Sequence, residues 1–286
     1  MKLASYISLI RVTHWVKNVF VLAPVFFAGL FIENGLEASY GVIAFCLMAS
    51  TVYVLNDILD IKHDAGNSDK FNVFEQGLMS KGSGLTLGAL LALTAQLVLM
   101  LVGFKGWYWL SLYLVLNIIY SLGAKNIPYL EMLFVVSGFL LRILLGASIS
   151  DVPISVWLYI EVLAFTSLII TGRRWKELKI YVNTGVAVRP AITMYNRPIL
   201  RGLFIFFELA LFATYIMYSL DPSIQQRLGW EVIYTIPFVL IGLIRFSWVI
   251  FKREGSGNPV RILFKDPWLM LTIFAWVTTW LIVMYV

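Results

Sequence analysis

Nine apolar runs, at about residues 18–32, 40–55, 84–103, 107–123, 128–147, 155–171, 199–219, 231–251 and 268–286, set the terms on which this chain can fold. Most are near the ~17–25 residues that a helix needs to cross ~30 Å of hydrocarbon. Backbone groups in lipid must be satisfied within the segment, and the runs far exceed the alternating ~10-residue strands of a barrel, so helices are expected. Composition agrees: the 286 residues are 60% hydrophobic and 13% charged, against roughly 45–50% and 25% in soluble domains. The expected architecture is an all-α integral membrane protein, a single transmembrane domain over 1–286, with cytoplasmic cap loops at about 57–83 and 172–198.

Basic residues give the orientation. With the N-terminus in the cytoplasm, all but four of the 22 Lys and Arg fall on that side or in its loops; Lys105 and Arg227 lie opposite, and Arg142 and Arg245 fall within spans. The positive-inside rule therefore predicts N-in/C-out. The first run is expected to be retained and not cleaved, because Pro24 and Phe26–Phe27 interrupt it and no small-residue cleavage site follows. The single cysteine, Cys46, lies within a span, which leaves no disulfide framework and no thiol metal site. No nucleic-acid module is expected, since the cations are dispersed over loops at one membrane face.

Three polar clusters lie on the predicted cytoplasmic side. The first, NDILDIKHD at 56–64, puts Asp57, Asp60 and Asp64 at i, i+3 and i+7, on one face if the helix of span two continues through it. Carboxylates on one stripe repel, so a cation between them is expected. Oxygen-only donors, Asn56, Asp57, Asp60 and Asp64, favour Mg²⁺. A solvated helix end with aspartates paired to Lys62 or Lys70 is the plainer alternative. The second cluster, RVTHWVKN at 11–18, supplies Lys17 and Asn18 beside an interfacial Trp15. The third, TGRRWKELK at 171–179, supplies Arg173 and Arg174, whose forks suit phosphate oxygens, and Glu177, placed to orient Arg174 from i+3. Arg142 falls inside span five, where a cation costs at least ~2.5 kcal/mol unless its surroundings are wet or paired. A comb carboxylate, a lipid phosphate and a substrate diphosphate are the candidate partners.

The phrases HWVKNVFVLAP, NDILDIKHD, YSLGAKNIPYLEMLFVVSGFLLRILLGA and GRRWKEL, in this order, resemble the UbiA superfamily of intramembrane prenyltransferases. Within it they are most similar to the branch typified by decaprenyl-phosphate phosphoribosyltransferase. The resemblance implies a nine-transmembrane-helix UbiA-like bundle with a cytoplasm-facing cavity, in a bacterial inner membrane. Ordinary members carry a second aspartate-rich motif after the sixth helix; here that place reads GRRWKEL. Departures also occur: AGNSDKFNVFEQG at 65–77 replaces a His-Pro/Arg-Pro stretch, Glu131 stands where Asp is usual, and Val12 replaces a proline.

On the resemblance, Asp57, Asp60 and Asp64 are catalytic and hold Mg²⁺ with Asn56, while Lys17, Asn18, Lys70, Tyr120, Lys125, Arg142, Arg173, Arg174, Glu177 and Tyr195 bind substrate. The implied reaction moves a 5-phosphoribosyl group from phosphoribosyl pyrophosphate, a soluble phosphorylated sugar donor, to a polyprenyl phosphate in the bilayer. This would serve synthesis of a cell-envelope glycolipid precursor. Prenyl transfer from a diphosphate to a small aromatic acceptor is the alternative within enzymes, and lipid binding or transport is the alternative outside them.

Overall fold

The computed structural model describes residues 9–61, 72–187, 189–252 and 265–285. Among them there are helices and no strands. The α-helices are α1 (Ala23–Phe27), α2 (Phe31–Leu59), α3 (Lys81–Met100), α4 (Trp107–Leu122), α5 (Leu130–Ser150), α6 (Val156–Thr184), α7 (Arg197–Leu220), α8 (Pro222–Leu228), α9 (Ile236–Lys252) and α10 (Pro267–Tyr285). Short 3₁₀ helices occupy Val12–Leu22, Ala124–Asn126, Pro190–Met194 and Trp230–Thr235.

Helix ends follow local chemistry. Ser80 starts α3 by accepting from Ser83 N–H at 3.1 Å, and Ser155 starts α6 by accepting from Leu158 N–H at 3.1 Å. Asn196 does the same for α7, with Pro198 in the first turn where a missing N–H costs nothing. Gly185 ends α6 at φ 72°, a left-handed position suited to a residue without Cβ. Residues 172–184, expected as part of a cap loop, are therefore the last turns of α6.

Among the described residues seven stretches are long and apolar enough to cross a membrane: α2, α3, α5, α6, α7, Trp230–Lys252 and Pro267–Met284. The other two expected spans lie on shorter apolar stretches, Val12–Phe27 and Trp107–Leu122. By length alone, seven of the nine expected spans are long enough among the described residues, and the other two fall short. Gly106 (φ 72°) and Gly123 bound α4, and its 16 residues reach only ~24 Å at the α-helical rise. Outward-facing Leu90, Leu93 and Leu97 on α3 and Trp268, Leu271 and Phe274 on α10 are more than one-third exposed, a pattern suited to lipid and not to water. The chain is an integral membrane protein.

The chain divides into two compact units, Met1–Lys125 with Ser137–Ile154, and Asn126–Val136 with Ser155–Val286. In the first, α2 packs on α3, α4 and the 3₁₀ helix Val12–Leu22, around Phe45, Met48, Leu99, Leu110 and Leu145. Backbones meet closely there: a Cβ at Gly146 would lie 1.9 Å from the Val21 carbonyl oxygen, so only glycine fits. In the second, α6 packs on α7 and α9 around Leu168, Phe204, Phe246 and Ile250.

Candidate active-site clusters

The first unit gathers its polar side chains at the end of α2. The helix closes at Leu59 and Asp60 caps it, so Asp57 and Asp60 stand one turn apart where the chain leaves the helix. The helix thus ends inside the expected comb instead of running through it, and Asp64, with Lys70, lies outside the described residues.

Each of the two described carboxylates is held by a cation. Arg11 Nη2 donates to Asp57 Oδ1 at 2.5 Å, and Lys125 Nζ donates to Asp60 Oδ1. Asn56 Oδ1 accepts from Ser121 Oγ at 3.1 Å. Asn72, fully buried, fixes the same turn by donating to the Asp57 carbonyl at 2.9 Å. Arg11 was not among the expected site residues. It sits at φ 51° before the 3₁₀ helix, with its guanidinium 4.9 Å from the Tyr53 ring centroid. Tyr53 is in turn hydrogen-bonded to His14 Nδ1 at 3.2 Å.

Deeper in this unit Arg142 is 5% exposed. Its Nε donates to Asn18 Oδ1 at 2.9 Å and its Nη1 to the Gly138 carbonyl at 2.6 Å. The rings of Phe45, Tyr113 and Phe139 lie 4.4, 5.2 and 5.2 Å from the guanidinium carbon. Asn18 also donates to Cys46 Sγ at 3.1 Å. The partners that offset this cation are thus an amide, a carbonyl and three aromatic faces. Lys17 and Tyr120 are half-buried in the same unit.

The second unit holds an arginine–glutamate cluster. Arg174, 1% exposed, donates through Nη2 to Glu131 Oε2 at 2.9 Å, through Nε to Glu131 Oε1, and through Nη1 to Glu177 Oε2 at 2.5 Å. Glu177 meets Arg174 from i+3, as the spacing predicts, and also accepts from Arg173 Nε at 2.9 Å. Arg189 completes the group, 3.3 Å from Glu177 and 3.5 Å from Glu131. Tyr195 donates to Glu131 Oε1 at 2.8 Å and accepts from Tyr129 N–H at 3.1 Å. Burial pushes the Tyr195 phenol above its ordinary value, and the adjacent Glu131 charge pushes the same way.

Among the described residues three arginines outnumber two glutamates here, and the excess charge is the exposed part. The Arg173 and Arg189 side chains are 37% and 22% exposed, whereas both carboxylates are almost wholly covered. Arg174 is the internal strut and Arg173 and Arg189 are the accessible forks. Neither Glu131 nor Arg189 was among the expected site residues; the sequence marked Glu131 only as a glutamate where aspartate is usual.

The donor set at the end of α2 suits a hard cation. Asn56, Asp57 and Asp60 offer oxygen alone, and Mg²⁺ commonly binds through one or two carboxylates and keeps several waters. Among the described residues no three His, Cys, Asp or Glu side chains converge, so a metal there would rely on waters, substrate oxygens or Asp64 for its remaining positions.

Fold and clusters define a helical integral membrane protein with charged groups drawn together at helix ends. More particularly, the chain belongs to the UbiA prenyltransferase family, whose profile matches residues 19–265, and it is a UbiA-type transferase. It is 27% identical over 295 residues to the decaprenyl-phosphate phosphoribosyltransferase of Mycolicibacterium smegmatis, covering 96% of this chain and 91% of that one. The enzyme of the same name from Mycobacterium tuberculosis is 28% identical over 293 residues, covering 96% and 93%. In fold the chain is similar to a UbiA homolog from Archaeoglobus fulgidus solved bound to DMAPP and Mg²⁺, with a TM-score of 0.71, 13% identity and 99% of both chains covered.

Proposed function

We propose that this protein transfers a 5-phosphoribosyl group from phosphoribosyl pyrophosphate to a polyprenyl phosphate, with Mg²⁺ as cofactor. The observation that carries the reading is similarity over nearly the whole chain to proteins named decaprenyl-phosphate phosphoribosyltransferase. The cationic character of GRRWKEL supports it, because both substrates are phosphorylated and arginine forks grip phosphate oxygens directly. The reaction would face the cytoplasm of a bacterial inner membrane, in line with the bias of the loop cations, and would supply a cell-envelope glycolipid precursor.

In this reading Asn56, Asp57 and Asp60, with Asp64, hold Mg²⁺. When bound, the ion neutralises charge on the leaving pyrophosphate. Arg173 and Arg189 bind phosphate oxygens, while Glu177 and Glu131 fix the planes of the guanidinium groups. Lys17, Lys70, Lys125 and Tyr120 contribute to the substrate pocket. The bond from ribose C1 to the pyrophosphate oxygen breaks and a bond from C1 to a polyprenyl phosphate oxygen forms. That oxygen is already ionised, so the step requires no general base.

The test is transfer of radiolabelled phosphoribose to a polyprenyl phosphate by the purified protein with Mg²⁺. A labelled lipid product is expected. Absence of that product together with consumption of a prenyl diphosphate would reject the reading in favour of prenyl transfer.

A further inference from the structure

Two of the carboxylates that would hold the metal, Asp57 and Asp60, are already paired with this chain's own cations. Asp57 accepts from Arg11 at 2.5 Å and Asp60 accepts from Lys125. We infer that Arg11 and Lys125 are resident counterions that a divalent metal displaces from Asp57 and Asp60, after which their freed cationic heads bind the donor's diphosphate. This rests on the metal and donor assigned under the proposed function, and extends it by giving Arg11 a role in the site.

The argument is one of charge and anchoring. Among the described residues, two carboxylates face one guanidinium and one ammonium, so these two pairs are balanced without a metal. A divalent ion added to these two balanced pairs brings two positive charges beyond what Asp57 and Asp60 offset, and the Asp64 carboxylate and the pyrophosphate are the anions to meet them. Metal and diphosphate should therefore bind with positive coupling, each improving the site for the other. Arg11 is built to move between partners. Its guanidinium carbon rests 4.9 Å from the Tyr53 ring, and Tyr53 is itself tied to His14, so the ring holds the cation when the carboxylate contact is exchanged. The Arg11 side chain is 34% exposed while that of Asp57 is 8% exposed, so the arginine is the more accessible member of the pair.

The experiment is Mn²⁺ binding to the full-length protein in detergent, read by electron paramagnetic resonance with and without inorganic pyrophosphate. Arg11→Gln is expected to tighten Mn²⁺ alone by about fivefold, the scale of one partly exposed ion pair, and to shrink the enhancement that pyrophosphate gives. Lys125→Gln should act in the same direction and serves as an independent variant. Unchanged or weaker Mn²⁺ affinity in both would overturn the inference. Asp57→Asn separates this outcome from failure of the underlying reading. If it abolishes Mn²⁺ binding, the metal site stands whatever the cation variants do; if it leaves binding intact, the metal assignment itself fails, and the counterion role with it.

Discussion

Arg174 and Glu131 lie 43 residues apart in sequence and form a two-bonded ion pair at almost complete burial, with Nη2 to Oε2 at 2.9 Å. A guanidinium removed from water needs its partner in place, and loss of one member leaves an uncompensated buried charge. Glu131→Gln is expected to lower stability by about 3–5 kcal/mol. Thermal unfolding in detergent, followed by tryptophan fluorescence, reports it. A melting temperature equal to that of the wild type would show that the pair carries no such weight.

The neighbouring arginines should behave differently. The Arg173 side chain is more than one-third exposed and is bonded to Glu177, whereas Arg174 is enclosed by two glutamates. Arg173→Ala is expected to raise the KM for the phosphorylated substrates by about ten- to a hundredfold, the scale of a lost charge-assisted hydrogen bond, with little change in melting temperature. Arg174→Ala should instead lower the melting temperature first. Equal effects of the two on stability would contradict the division into strut and fork.

In the proposed reading Asp57 and Asp60 would set the metal dependence. Asp57→Asn keeps the volume and the backbone bond to Asn72, but removes the charge that a divalent ion requires. Turnover should fall at least ~100-fold while the protein still folds. Chelation by EDTA should abolish transfer and added Mg²⁺ should restore it. Full turnover in the presence of excess chelator would exclude a required divalent ion.

Arg142 offers a packing prediction. Its partners are Asn18, the Gly138 carbonyl and three rings, and a lysine cannot reproduce both the planar stacking and the Nε bond. Arg142→Lys is expected to cost about 1–3 kcal/mol, read by the same thermal assay. Asn18→Ala should cost less in an Arg142→Lys background than in the wild type. Strict additivity of the two would mean that they do not act as a pair.

The apolar runs were legible because lipid imposes both length and backbone satisfaction on any segment that crosses it. What hydropathy could not place was the end of α6. The run stops near Thr171, but Arg173, Lys176, Glu177 and Leu178 are strong helix formers, and the helix continues to Gly185. The spacing of Asp57 and Asp60 was legible because it is local. Their partners Arg11 and Lys125 were not, being 46 and 65 residues distant in sequence and brought there by packing on α2. Glu131 was visible only as a departure from the usual aspartate, and its work in holding Arg174, Arg189 and Tyr195 is set by tertiary contacts alone.

Tyr195 gives the second unit a pH signature. Its hydroxyl donates to Glu131 at 2.8 Å, and burial together with that carboxylate raises the phenol above its ordinary value in the folded protein. In the unfolded chain it ionises near pH ~10. A folded value above the unfolded one means that the stabilising contribution is complete below pH ~10 and declines as pH rises further, because only the unfolded chain readily releases the proton. Tyr195→Phe removes the donor and should cost about 0.5–1.5 kcal/mol at neutral pH. It should also flatten the loss of stability between about pH 9.5 and 11, since phenylalanine has no proton to release. Thermal unfolding of both proteins across that range decides the matter: parallel curves, separated by a constant offset, would show that Tyr195 does not carry the alkaline dependence.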